Sequence, residues 1–144
     1  MNTLYKTIGC LALLASVSAT AVRADTSGTS RTAVADIKWL DTGFGPQAAP
    51  VSGDFTKGKH ISLIKFKAGL KTPLHTHSHD YVGIVVSGKA KHYEPGKPET
   101  ETVLGPGSFW AIKGTVPHIS ECLAGEDCIF ALYQDDAFDF LPVK

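Results

Sequence analysis

The sequence predicts an all-β single domain, a barrel or sandwich. Three observations carry that expectation. Short apolar segments rich in Val, Ile, Phe and Tyr recur along the chain. Turn residues separate nearly all of them: "KAG", "SGK", "PGKP", "GPG", "KGT" and "AGED". Helical periodicity is almost absent, so the segments read as strands of a closed or two-layered β architecture.

The first element lies outside that domain. Residues 1–24 carry an apolar stretch, "IGCLALLASVSATAV", ending in "VRA", with Val22 and Ala24 at the small-residue positions of a cleavage site. This is the pattern of a secretory signal peptide, too short and too diluted by Ser and Thr for a transmembrane helix. Cys10 precedes most of the apolar run, the wrong place for a lipid anchor. The mature chain is expected to start at Asp25 in the periplasm or outside the cell. Residues 25–35 are rich in Ser, Thr and Gly and read as a tether, leaving 36–144 as the domain.

Within it, "IKWL" (37–40) reads as an edge strand and "GFGPQAAPVSGDFTKGK" (43–59) as loop. Strands are then expected at "HISLIKF" (60–66), "TPLHTH" (72–77), "YVGIVVSG" (81–88), "AKHYE" (90–94), "ETVL" (101–104), "SFWAI" (108–112), "PHISEC" (117–122) and "CIFALYQ" (128–134). The acidic tail "DDAFDF" (135–140) fits a last strand or one helical turn. There is no internal repeat.

Charge excludes some partners. Lys and Arg number 14, as do Asp and Glu. Loss of the leader removes Lys6 and Arg23, leaving a slight acidic excess. Without a basic stripe nothing argues for nucleic acid, and without a cationic amphipathic segment nothing argues for a membrane after cleavage. Of the three cysteines, Cys122 and Cys128 remain; in an oxidising compartment they read as one disulfide closing "CLAGEDC". Two separate buried thiols are the alternative.

The chemistry concentrates in "HTHSHDY", where His75, His77 and His79 recur at every second position. Alternate side chains of a strand leave the same face, so this segment aims a row of imidazoles at one place. Read from Gly69, the chain runs Gly69, His75, His77, Tyr81, Gly88, and later Gly107 and His118. This resembles the two motifs of the cupin family, G-x5-H-x-H-x3,4-E-x6-G and G-x5-P-x-G-x2-H-x3-N. The second motif departs at Lys113, Thr115 and Cys122, and the first at its glutamate position, which holds Tyr81 or, on the longer spacing, Val82.

The resemblance implies a jelly-roll β-barrel holding one divalent transition metal (Fe, Mn, Zn, Ni or Cu) through His75, His77 and His118. Three neutral imidazoles inside an apolar wall suit such an ion. No carboxylate partner is evident, because the parity of Asp80 turns it away from the histidine face. Tyr81 shares that face, and its phenol is expected to hydrogen-bond a metal-bound water or substrate oxygen rather than to ligate. Three-histidine cupins of this sort resemble the thiol and diketone dioxygenases. An enzyme acting on a small molecule, a non-catalytic module binding a small ligand or metal, and a scaffold with a vestigial site all remain open. A homodimer is open as well, since such barrels often pair through edge strands.

Other residues take structural readings. His60 is expected to be exposed or capping, and His92 to lie on the surface. Trp110, Phe109, Phe130 and Tyr133 read as barrel core. Gly83, in mid-strand, marks a bulge or a place where a ligand approaches the backbone, and Lys113–Thr115 a turn.

Overall fold

Runs of alternating burial become strands wherever a turn glycine lets the chain reverse. The structure, a computed structural model, describes residues 28–144. The expected leader and the start of the tether lie outside the described residues. The strands are β1 (Leu40–Asp41), β2 (Gln47–Gly53), β3 (His60–Phe66), β4 (His75–Thr76), β5 (Tyr81–Ser87), β6 (Ala90–Tyr93), β7 (Phe109–Ile112), β8 (Ile119–Cys122), β9 (Cys128–Gln134) and β10 (Leu141–Pro142). The described residues are all-β, as expected, with only two short 3-10 turns among them, Val34–Asp36 and Pro98–Thr100. Among the described residues no helix is long and apolar enough to cross a membrane.

One face is a six-stranded sheet in the order β1-β2-β3-β9-β5-β7. The other is assembled from two antiparallel pairs, β4–β10 and β6–β8. Isolated bridges Lys71↔Glu121 and His75↔His118 tie the β4 run to the β8 run. Hydrogen bonding among the described residues leaves these as separate sheets, because β4 and β10 are only two residues long. A shared core fills the space between the faces, with Phe66, Tyr81, Val85, Phe130, Leu132 and the cysteine pair. Phe130 meets Phe66 and Trp110 edge to face, at 5.3 and 5.4 Å. Burying each such side chain contributes about 1.5–3 kcal/mol.

The register of the large sheet sets its inner face in transverse rows. One row runs His60, Gln134, Tyr81, Ile112; the next runs Ser62, Leu132, Gly83, Trp110. Gly83 is small for a definable reason. A Cβ there would lie 2.1 Å from the Trp110 ring, so it is the indole, and neither a bulge nor a ligand, that requires glycine. The outer face presents Ile61, Val82, Ile84 and Val86, all exposed.

Several expectations change. The stretch 43–59 contains β2, whose Ala48 and Ala49 are buried while Val51 faces outward. Its alternation is masked by small residues and by Pro50, which lacks an N–H and sits at the register shift between Pro50 and Ser52. The segment 101–104 makes only the bridge Ala90↔Leu104. The tail 135–140 is neither strand nor helical turn and is followed by β10. His60 is buried, at 3% exposure, because even-numbered positions of β3 face inward. Phe109 (72% exposed) and Tyr133 (37%) are not core; their parity turns them outward, while Phe130 is core and Trp110 is half-buried. Cys122 and Cys128 form the expected disulfide.

Candidate metal centre

Three short stretches of the second face bring the histidines together. His75 and His77 lie two residues apart on extended backbone. The reciprocal bonds His75 N–H to His118 O (3.1 Å) and His118 N–H to His75 O (2.9 Å) place His118 directly across. The bond from His77 N–H to Gly114 O (2.9 Å) carries the same parity past the end of β4. One nitrogen from each imidazole falls in a cluster whose members all lie within 4.8 Å of one another. The three residues are buried.

The other ring nitrogen of each is occupied. Nδ1 of His75 bonds the Pro73 carbonyl (2.9 Å), Nδ1 of His118 the Val116 carbonyl (2.9 Å), and Nδ1 of His77 the Asp139 carbonyl. A carbonyl only accepts, so each Nδ1 carries the hydrogen and each Nε2 presents a lone pair to the cluster. Burial, reinforced by the neighbouring imidazoles, brings His75 down to about 4. Burial likewise brings His118 down to about 4, and it lowers His77. At neutral pH all three are uncharged donors. Three converging neutral nitrogens fit a divalent transition metal of the borderline class, and the residues present could hold one.

The carboxylate missing from the sequence arrives from the tail. Asp139 takes the Ser78 N–H (2.9 Å) and hydroxyl (2.5 Å), and its Oδ1 stands 3.8 Å from His77 Nδ1. It therefore braces the outer side of His77 and does not face the cluster. Asp80 also turns away, accepting from Lys113 Nζ (2.6 Å) and Gly114 N–H (3.0 Å). His79 is exposed and pairs with Asp136 at 3.3 Å, outside the cluster.

Tyr81 does reach the cluster. Its hydroxyl lies 3.0 Å from His118 Nε2 and 3.4 Å from His92 Nε2. Burial pushes this phenol well above its ordinary value, so it stays a neutral donor. The surface reading of His92 is overturned. Ala90 and His92 share the inward face of β6, and the His92 ring stacks on Trp110 at 4.7 Å and comes within 4.6 Å of the His118 ring. Its Nδ1 meets Ser120 Oγ at 3.0 Å. Burial, with repulsion from the three histidines, holds His92 well below its ordinary value.

Sequence reasoning missed the aromatic wall. Phe140 stacks on His75 at 4.2 Å and on Phe44 at 4.7 Å, and Phe138 lies 5.0 Å from the His77 ring. The available signal was the alternation in "FDF" (138–140). With the Trp110 indole, this wall encloses a cavity of about 60 Å³ beside the triad.

No protein-family model and no curated protein matches the chain. Solved structures do. Polyketide cyclase RemF from Streptomyces resistomycificus superposes with a TM-score of 0.67 at 17% identity, over 81% of this chain and 87% of that one. An RmlC-like cupin from Shewanella frigidimarina gives 0.58 at 19%, over 75% and 92%. The chain has the cupin fold. KdgF from Halomonas sp. is a further neighbour, at 0.59 and 22% identity over 74% and 94%. Identities this low establish the cupin fold and not the reaction, so the chemistry of this chain rests on its own site.

Proposed function

We propose that this chain is an exported, metal-dependent enzyme acting on a small molecule inside a jelly-roll barrel. The observation that carries the reading is the hydrogen-bonded orientation of the triad. Backbone carbonyls hold three Nδ1–H groups and leave three Nε2 lone pairs converging in a buried, aromatic-walled space. With no carboxylate among the donors, an ion held there would keep its full dipositive charge. It would supply Lewis acidity or oxygen activation. The chain supplies the rest. The aromatic wall excludes water, and Tyr81 offers a hydrogen to one acceptor at a time. Once His118 Nε2 is engaged by metal, that hydrogen is left for His92 or for an oxygen of the substrate.

The disulfide supports an oxidising compartment. Protein purified from the periplasm should begin at Asp25 and carry about one equivalent of a divalent transition metal. His75→Ala, His77→Ala and His118→Ala should each abolish loading, while His79→Ala, at an exposed site, should retain it. A chain beginning at Met1 would refute export, and metal retention in all three triad variants would refute the centre.

A non-catalytic binding module is the second reading, favoured by the neutral phenol at the place of a carboxylate.

The outer sheet face supports pairing of two copies. Ile61, Tyr133 and Val82 form one exposed register row, beside Ile84 and Phe109. Sedimentation equilibrium should show a dimer, and the double substitution Ile84→Lys with Phe109→Lys should give a folded monomer. A monomeric wild type overturns this.

A further inference from the structure

Two polar atoms of the described residues are buried with no partner: Ser62 Oγ and Trp110 Nε1. Native interiors rarely leave such groups unpaired, so each calls for an explanation. Both belong to one transverse row of the large sheet, Ser62, Leu132, Gly83, Trp110. Each borders a different cavity. Trp110 borders the small cavity beside the histidine triad. Ser62 borders a second one of about 460 Å³, which His60 also lines.

The small cavity holds no more than a few waters. The second lies in the size range of small-molecule sites. Phe44, Phe138, Phe140, Ile64 and Leu132 line both, so the two spaces share one partition. Its aromatic part is Phe138 and Phe140, which come from the irregular tail, whose backbone is pinned by the Phe138 N–H to Phe55 O bond (2.7 Å) and by β10.

Phenylalanines line much of the wider cavity, and its polar side chains come from β3 (His60, Ser62) and from neighbouring segments (Asp41, Thr42, Thr56, Asp139). His60 Nδ1 is held by the Gly58 carbonyl at 2.9 Å, which leaves Nε2 as an acceptor in the neutral ring. Ser62, two residues along, can donate or accept. An acceptor and a hydroxyl on one strand face, opposite aromatic rings, suit a ligand hydroxyl on a flat ring.

We propose that the wider cavity is the substrate-binding chamber, and that it takes an aromatic molecule bearing a hydroxyl group. The hydroxyl pairs with Ser62, and the ring lies along Ile64 and Leu132, with its other end directed past Phe138 and Phe140 to the histidine centre. This rests on the reading of the triad as a metal-dependent site but is tested separately from it.

The probe is 2-naphthol, compared with naphthalene, titrated into the full mature protein by fluorescence or calorimetry. Wild type should bind 2-naphthol more tightly than naphthalene. Ser62→Ala should weaken 2-naphthol roughly tenfold, the loss of one hydrogen bond, and leave naphthalene unchanged. Ser62→Leu, which fills the cavity, should abolish binding of both, and thermal melting will confirm that each variant folds. Equal effects of Ser62→Ala on both probes, or binding that survives Ser62→Leu, would overturn the proposal, as would no binding to wild type. Metal content is measured on the same samples. Full metal with no 2-naphthol binding removes the chamber and spares the centre; binding without metal loading does the reverse.

Discussion

Tyr81 is the residue on which the two functional readings divide. It holds the position where the resembled motif carries an acid, and it is buried against the triad, 3.0 Å from His118 Nε2. A free phenol ionises near 10, and burial raises this one further, so an anionic ligand role would need the metal to overcome the cost of burial. Tyr81→Phe should therefore keep the metal. It should lose turnover, or affinity for a small oxygen-bearing ligand, by about 1–3 kcal/mol, because a buried acceptor is left without its donor. Metal content beside oxygen consumption and calorimetric binding provides the readout. Loss of turnover with binding intact selects the enzyme; loss of binding in a protein that never turns over selects the module. Loss of the metal itself would make Tyr81 a ligand and sink the three-histidine reading.

At the scale of elements, legibility followed how local the signal was. His75 and His77 were readable because period-two parity operates over three residues. The parity holds even though regular pairing in β4 ends at Thr76, since His77 N–H still bonds Gly114 O. His118 lies 41 residues beyond His77 and was reachable only through the spacing from Gly107. β5 shows where alternation fails. Its inward positions are Tyr81, Gly83 and Val85 and its outward ones Val82, Ile84 and Val86, so both faces read as apolar. The burial of His92 depends on β6 pairing with β8, with His92 opposite Ser120. No pattern within "AKHYE" encodes that pairing. The tail was misread for the same reason. Phe138, Asp139 and Phe140 make sense only against His75, His77 and Ser78, some sixty residues earlier. β2 was hidden because small residues pack its inner face.

For the whole molecule, the same buried imidazoles that suit a metal make the metal-free fold sensitive to acid. His75 and His118 move from an ordinary value of 6.5 down to about 4, first through burial. A histidine with a lowered folded value takes up its proton more readily in the unfolded chain. Below about pH 6.5 the unfolded state therefore binds more protons, and stability falls as the pH falls, until the folded values are reached near 4. A displacement of that size is worth on the order of 3 kcal/mol per histidine, less to the extent that solvent screens the ring. His77 and His92 are lowered in the same way and add to the effect. Against a typical total of about 5–15 kcal/mol, this is a substantial fraction of the stability of a domain. The melting temperature of chelator-treated protein should fall continuously from pH 7.5 to pH 5. Metal-loaded protein should melt higher at pH 7.5 and fall more steeply, because protons also displace the ion. A melting temperature for the metal-free protein that stays level or rises over that range would mean that the imidazoles are hydrated in solution. The buried neutral cluster on which the centre depends would then be lost.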